Sequence, residues 1–209
     1  MEDYLNEKEQ WERVLAWLRE QGPWMLAAVA VTAGAFAGWR LWQGHLEKRE
    51  LAAANRYEQL LDAFGRNNMD GGMKLVDEIK RDYSATPYAD LAELAAARIQ
   101  VEANQLDQAA ARLSQVLATT KDPELALIAR LRLARVQLAQ GNADNALQTL
   151  DSVKSGAFAA RYAEVRGDAL LVKGDRDGAL KEYRAARSGS AETLDTGLLD
   201  LKISDLARS

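Results

Sequence analysis

The residue types that usually carry catalysis or bind metal ions are scarce in this chain of 209 residues. It contains one histidine, His45, and no cysteine, so a thiolate nucleophile is excluded and a transition-metal site is not expected. Neighbouring acids, such as Asp77 with Glu78 or Glu192 with Asp195, have the spacing of a solvated helix surface rather than of an acid–base pair. We therefore predict no catalytic residue, no metal and no cofactor.

The side chains best suited to recognising another molecule are Arg98, Arg135, Leu94, Leu131 and Asp168. An arginine can hold a carboxylate through a fork of hydrogen bonds, while nearby leucines accept apolar side chains of the same partner segment. The alternative interpretation is that the arginines form ion pairs within their own helices and the leucines belong to the core. Either way, these residues need helices that bring them to one face.

Composition predicts such helices and excludes one class of partner. Lysine and arginine number 27 against 31 acids, a net charge of −4 at pH 7, so there is no broad basic surface for a nucleic acid. Alanine, leucine, glutamate, arginine and glutamine dominate, with only three prolines. These are strong helix formers, and the predicted fold class is all-α.

Three segments of the chain align without gaps at residues 98–113, 135–150 and 168–183. They read RIQVEANQLDQAAARL, RVQLAQGNADNALQTL and DALLVKGDRDGALKEY, and their offsets are 37 and 33 residues. Offsets of this size are typical of helical hairpins that stack into a solenoid. In such a solenoid the first helices of the hairpins line the concave face, which is where we place the arginines.

Each aligned column has a physical role: a small residue in the first helix, a turn residue, an aspartate that can cap the second helix, an alanine where the helices cross, and a bulky closing residue. These columns are Ala97, Ala134 and Gly167; Asn104, Gly141 and Gly174; Asp107, Asp144 and Asp177; Ala109, Ala146 and Ala179; and Leu113, Leu150 and Tyr183. The pattern resembles the tetratricopeptide repeat, except that Gln100, Gln137 and Leu170 stand where that family often has an aromatic residue.

The predicted repeats occupy residues 87–190 and are flanked on both sides by further helical segments. Residues 43–86 are interpreted as a linker helix and a degenerate first hairpin, in which Gly72 replaces the crossing alanine. Residues 191–209 are interpreted as a C-terminal capping helix, because terminal repeats need a cover with one polar face. Its predicted apolar face consists of Leu194, Leu198, Leu201, Ile203 and Leu206.

An uncharged segment of 19 residues lies at 21–39 and is long enough as a helix to cross a hydrocarbon core once. Trp24 at one end and Trp39 at the other suit the two membrane interfaces. We predict a retained transmembrane anchor over residues 23–42. A cleaved signal and a soluble core helix are the alternatives, and the acidic rather than basic flank at residues 1–20 argues against a signal.

The residues around this anchor leave two questions open. Lysine and arginine number three before it and four in residues 40–60, so charge counting does not decide its orientation. The preceding tail, residues 1–22, places Trp11, Val14, Leu15 and Leu18 on one helical stripe, which suits either a membrane surface or a partner helix.

Small residues recur every four positions within the anchor, at Ala30, Gly34 and Gly38. They place a shallow groove on one helix face, where another transmembrane helix can approach closely. The alternative is that glycine and alanine are simply common in bacterial anchors.

Taken along its whole length, the chain is similar to one family, the ancillary subunits of the bacterial Sec translocon. The similarity rests on the acidic tail, on GAFAGWRLW at the end of the anchor, and on LRLARVQLAQGNADNALQTLDSVK and RGDALLVKGDRDGALKEYRAA in the repeats. The resemblance implies a bacterial inner-membrane protein with a cytoplasmic N-terminus and a periplasmic repeat domain. It also implies association with the Sec translocon channel and with a membrane-anchored periplasmic chaperone of the prolyl-isomerase type.

The function expected from this resemblance is a non-enzymatic scaffold that assists handover or folding of exported client proteins beside the translocon. An alternative with the same architecture is a membrane-bound regulator that sequesters a cytoplasmic signalling protein. A membrane-tethered hydrolase is a third possibility, but the chain offers no residues for it.

Overall fold

The computed structural model describes residues 3–151, 155–189 and 196–208. This part of the chain is helical and contains no strand, which confirms the all-α prediction. The chain divides into two units, residues 1–52 and 53–209. Its helices are α1 (Asp3–Gly65), α2 (Met69–Asp82), α3 (Pro87–Glu102), α4 (Leu106–Thr119), α5 (Pro123–Ala139), α6 (Ala143–Asp151), α7 (Ala159–Val172), α8 (Arg176–Gly189) and α9 (Thr196–Ala207), with one 3-10 turn at Gly156–Phe158.

The first unit is formed by the N-terminal part of α1. Within Arg19–Gly65 the helix is long and apolar enough to cross a membrane, judged by length and composition, and none of its apolar window is buried inside the protein. Trp24, for example, is 77% exposed. A soluble core helix would bury such side chains against other elements, so their exposure favours the predicted anchor over the core-helix alternative.

Helix α1 runs without interruption through Pro23, where the sequence placed the boundary between tail and anchor. A proline removes one backbone hydrogen bond and can bend a helix without ending it. Trp11, Val14 and Leu15 are exposed, as expected for a stripe that meets lipid or a partner. The Leu18 side chain of the same stripe lies outside the described residues.

The second unit contains the predicted repeats as the hairpins α3–α4, α5–α6 and α7–α8, in which successive helices pack on one another. Asn104, Gly141 and Gly174 occupy the three turns with positive φ angles of 58°, 79° and 83°. Glycine adopts this left-handed conformation without steric cost, and asparagine tolerates it better than most residues. The turn column of the alignment therefore reflects a backbone requirement.

Helix crossing within the hairpins depends on the alanine column. Ala109, Ala146 and Ala179 have no solvent exposure. The closing residues are also buried, with at most 1% exposure; they are Leu113, Leu150 and Tyr183. In the third hairpin a Cβ added to Gly167 would lie 2.5 Å from Cε1 of Tyr183. The larger closing residue thus explains why this hairpin has glycine where the others have alanine.

The degenerate first hairpin is formed by the end of α1 and by α2, and its core contains Leu60, Val76 and Ile79, all fully buried. Gly72 lies against the ring of Phe64, which occupies the space that a Cβ at this position would need. The crossing alanine is therefore replaced by glycine because an aromatic ring covers the site.

The conserved-looking column of aspartates has a different role from the predicted one. Asp107, Asp144 and Asp177 lie inside the first turn of the second helices rather than at the cap position. There a carboxylate still complements the positive end of the helix. Two of them also join consecutive hairpins, because Gln140 Nε2 donates to Asp107 at 2.7 Å and Lys173 Nζ donates to Asp144.

The glutamines that replace the family's aromatic residues join the two helices of their own hairpins. Gln100 Nε2 donates to Oε1 of Gln108 at 3.1 Å. Oε1 of Gln137 accepts a hydrogen bond from Thr149 Oγ1 at 2.8 Å. Hydrogen bonding between polar side chains therefore stands in for aromatic packing in these two repeats.

A buried acid links three helices near the start of the repeat unit. Glu93 of α3 is 4% exposed. Its carboxylate lies 2.7 Å from Nη1 of Arg112 on α4 and 2.9 Å from Nζ of Lys80 on α2. A buried carboxylate is tolerated only when it is paired, so this network fixes α2, α3 and α4 relative to one another.

The C-terminal helix α9 packs on α8, as a capping helix would, and its packed face shares Ile203 and Leu206 with the predicted one but not Leu198 or Leu201. Leu199 is 1% exposed, and Ile203 and Leu206 pack beside it. Leu198 and Leu201 are exposed. The sequence offers two leucine stripes one residue apart, and contact with α8 selects the second. Residues 191–195, including Leu194, lie outside the described residues.

Replacing Gly167 by alanine tests the match between glycine and tyrosine. We expect Gly167→Ala to lower the free energy of unfolding by about 1–3 kcal/mol, because the new methyl group overlaps the buried Tyr183 ring. Thermal unfolding of the full chain, followed by circular dichroism, measures the change. Gly65→Ala is the control, because nothing lies within 4 Å of a Cβ there.

The double variant Gly167→Ala/Tyr183→Leu recreates the alanine–leucine combination of the second hairpin. We expect a favourable coupling energy between the two substitutions, since leucine removes the clash. Strictly additive losses would show that the ring does not determine the residue at position 167.

Candidate partner-binding groove

Two clefts open along the first helices of the repeat unit. One has a volume of about 370 Å³ and lies between α3 and α5, with Val101 and Val136 in its walls. The other, of about 360 Å³, lies between α3 and the end of α1, with Tyr57 and Leu61 in its walls. Both clefts are lined by Arg98, Glu102 and Arg132, so these charged residues form a shared border.

Both predicted groove arginines, Arg98 and Arg135, lie at the cleft between α3 and α5. Nε of Arg98 donates to Oε1 of Glu102 at 2.8 Å, one turn further along α3, while 73% of the Arg98 side chain remains exposed. Nη2 of Arg135 lies 3.9 Å from Oε2 of Glu164 on α7. The Arg98–Glu102 pair is exposed and contributes little to stability. The Arg135 side chain is 52% exposed although Glu164 is largely buried, so both guanidinium groups are accessible to a partner.

The two predicted groove leucines have a different location. Leu94 and Leu131 are only 5% and 4% exposed and belong to two core clusters of the repeat unit. Leu94 lines the cleft between α1 and α3, but with so little exposure both side chains serve to hold the first helices in place. The alternative interpretation, that these leucines are core residues, describes what the structure contains.

Asp168, the third-repeat counterpart of Arg135, is engaged within the chain. Its Oδ1 accepts hydrogen bonds from Tyr183 Oη and from Lys202 Nζ, both at 2.7 Å. Lys202 also lies 3.0 Å from Oε1 of Glu164 and 5.3 Å from the centre of the Tyr183 ring. The acidic end of the predicted groove is therefore occupied by a lysine from the capping helix.

Both Tyr183 and Lys202 of this network stay protonated, because the pKa of each is raised. Burial, followed by the hydrogen bond to Asp168, raises the pKa of Tyr183, so its hydroxyl keeps the proton that it donates. Burial opposes the charge of Lys202, but Asp168 and Glu164 outweigh it, and the net pKa of Lys202 is raised. A positive lysine and a neutral tyrosine thus share one carboxylate.

Arg132 is a groove residue that sequence reasoning missed. It does not fall in a charged column of the repeat, because its counterpart in the first repeat is Ala95. The available signal was its position three residues before Arg135, which places both on one helix face. Burial lowers the pKa of Arg132, and the nearby charges of Arg98 and Arg135 lower it further.

In the first unit, the predicted packing face at Ala30, Gly34 and Gly38 is exposed. Nothing lies within 4 Å of a Cβ placed on either glycine. The face is therefore open to a neighbouring helix, although the structure contains none. It shares no residue with either cleft.

Among the described residues, no group of three or more histidine, cysteine, aspartate or glutamate side chains is arranged to hold a metal ion. His45 is exposed on α1. Stacked helical hairpins with an arginine-lined groove, preceded by an exposed apolar helix, define a tetratricopeptide-like scaffold with a candidate membrane anchor.

Comparison with known proteins supports the tetratricopeptide-like class and identifies the family within it. A family described as a tetratricopeptide repeat-like domain matches residues 15–208. A relative from Escherichia coli K12 named ancillary SecYEG translocon subunit is 36% identical, covering 99% of this chain and 100% of the relative. Proteins of the same name from Haemophilus influenzae and Neisseria gonorrhoeae are 29% and 26% identical, over 97% and 99% of this chain and 98% and 100% of their own lengths. The chain belongs to the family of ancillary SecYEG translocon subunits.

Solved structures support the fold alone. MamA 41-end from Desulfovibrio magneticus RS-1 matches with a TM-score of 0.56 at 15% identity, covering 75% of this chain and 89% of that one. A double mutant of the RS-1 MamA protein gives a TM-score of 0.54 at 15% identity, over 75% of this chain and 94% of its own.

Removing the lysine that occupies the acidic pair tests how α9 is held. We expect Lys202→Met to increase amide hydrogen exchange in α9 by about tenfold or more, because two charge-assisted hydrogen bonds are lost. Hydrogen exchange measured by mass spectrometry reports the change peptide by peptide. The exposed Lys181→Met on α8 is the control, and equal exchange in both variants would contradict the assignment.

The raised pKa of Lys202 sets the direction of the pH effect. Its contribution is complete below the ordinary lysine value of 10.5 and is lost as the pH rises through the higher folded value. The Lys202→Met difference in exchange should therefore persist through the neutral range.

Proposed function

We propose that this protein is a non-enzymatic membrane scaffold that associates with the Sec translocon channel and presents its repeat groove to proteins nearby. The observation that carries the proposal is the 36% identity, over 99% of the chain, to a relative named ancillary SecYEG translocon subunit. Helical-repeat scaffolds act through extended concave surfaces of this type.

The exposed apolar part of α1 anchors the protein in the bacterial inner membrane in this proposal. Its small-residue face, at Ala30, Gly34 and Gly38, packs against a transmembrane helix of the channel, because association in lipid depends on close backbone approach. The N-terminus then lies in the cytoplasm and the repeat unit in the periplasm, where exported chains emerge.

The groove residues Arg98 and Arg135 contact a partner on the periplasmic side. We place a membrane-anchored chaperone of the prolyl-isomerase type, or an exported client, in this position, so that the scaffold assists handover or folding. Support comes from the exposure of both guanidinium groups beside an apolar cleft. Asp168 belongs to the closed end of the groove and has a supporting role.

Cysteine scanning tests the anchor face, because the chain has no natural thiol and each introduced cysteine is unique. We expect Gly34→Cys and Gly38→Cys to crosslink to the translocon channel in native membranes, as identified by mass spectrometry. Thr32→Cys is the matched control, since it lies on the opposite face of the helix. Equal crosslinking from all three positions, or from the control alone, would remove the small-residue face from the contact.

Orientation is tested by a fusion of alkaline phosphatase after Ser209, an enzyme that is active only after export. We expect high phosphatase activity, which is lost when residues 21–39 are deleted. An inactive but stable full-length fusion would place the repeat unit in the cytoplasm and support the alternative, a regulator of a cytoplasmic signalling protein.

A further inference from the structure

The two clefts on α3 and α5 carry an excess of positive charge. Arg98, Arg132 and Arg135 lie at the α3–α5 cleft, and Glu102 is the one acid among its lining residues. The cleft between α1 and α3 is bordered by Arg98, Arg132 and the same Glu102. In a protein with a net charge of −4, this local excess is a specific feature of one surface.

Arg132 lies at the centre of this surface and differs from its two neighbours. Arg98 pairs with Glu102 and Arg135 with Glu164, whereas within the described part of the chain Arg132 has no carboxylate partner. It donates one long hydrogen bond of 3.4 Å from Nη1 to the carbonyl oxygen of Leu94. The Arg132 residue is otherwise exposed, so an anion can reach its guanidinium, and the like charges of Arg98 and Arg135 nearby make that approach favourable.

The rest of the cleft is apolar. Ala97, Val101, Leu113, Val136 and Ala139 line it around the arginines. A surface with an apolar floor and a border of guanidinium groups is complementary to a peptide that carries carboxylates beside a large apolar side chain. A basic or purely apolar segment would leave the repulsion among the arginines in place.

Lys202 explains why this face favours an acidic partner over a basic one. The acidic residues of the same concave face, Glu164 and Asp168, already form ion pairs with Lys202 from α9. A basic partner side chain would have to displace that lysine, whereas an acidic one meets Arg132 directly. The chain itself therefore closes the acidic end of the groove and leaves the basic end open.

We propose that the α3–α5 cleft binds an acidic, leucine-containing protein segment, with Arg132 as the central contact for its carboxylates. This inference rests on the proposed function of the groove and names the chemical class of its partner. The occupant is an extended segment of another protein, since each guanidinium fork can hold one carboxylate while the cleft between the arginines takes the apolar side chain.

Two short fluorescein-labelled peptides of equal length test the inference on the full chain in phosphatidylcholine nanodiscs. One alternates leucine with glutamate, and the other has glutamine at every glutamate position. We expect fluorescence anisotropy to give about tenfold tighter binding of the glutamate peptide, because charge-assisted hydrogen bonds are stronger than neutral ones. Raising the salt concentration should reduce this difference.

Arg132→Gln should weaken binding of the glutamate peptide about five- to tenfold and leave the glutamine peptide unchanged. Arg132→Lys should restore part of the affinity, since a lysine keeps the charge but loses the fork geometry. Arg184→Gln, at an exposed arginine of α8, is the matched control and should bind both peptides normally. Circular dichroism melting of each variant verifies folding.

Equal affinity for both peptides would overturn the inference, and so would equal weakening of both by Arg132→Gln. Displacement of the glutamate peptide by phosphatidylglycerol vesicles would also overturn it, because the occupant would then be a lipid headgroup. Co-purification of the translocon channel with the same chains is measured in parallel. Channel association without glutamate selectivity overturns the partner class alone. Loss of channel association by the unaltered chain overturns the proposed function instead.

Discussion

Each of the three aligned repeats depends on a steric match between a small residue on its first helix and a large residue on its second. Ala97 and Leu113 share one core cluster, and Ala134 and Leu150 share the next. In the third hairpin, glycine faces the Tyr183 ring at a distance that excludes a methyl group. Close-packed interiors leave no space to absorb such a mismatch, so the separation of the two helices is set by these residue pairs.

The groove follows from this packing. Because the helices of each hairpin approach closely, successive first helices lie side by side, and charges that are distant in the chain become neighbours. Arg98 and Arg132 come from different hairpins and border the same two clefts. The capping helix then modifies the opposite end of the surface, where Lys202 neutralises two acids. The charge distribution of the surface is thus a property of the stack rather than of any repeat.

The two units of the chain differ in how their apolar side chains are covered. In the repeat unit, apolar side chains are removed from water by neighbouring helices, and buried polar groups such as Glu93 are paired. In the first unit, the apolar window of α1 has no protein cover, and its stability in a cell depends on lipid or on a partner helix. In the scaffold role proposed above, the apolar helix holds the repeat unit at the membrane.

Local patterns in the sequence were sufficient for the helices, the repeat register, the positions of the turns and the apolar segment, since each depends on short-range spacing and on residue type. Contacts between helices decided which side chains lie in the groove. Leu94 and Leu131 are core residues, and Leu199 rather than Leu198 is the buried leucine of α9. Lys202 of α9 donates a hydrogen bond to Asp168. Periodicity identifies the faces of a helix, but only packing determines which face is covered and which charges meet.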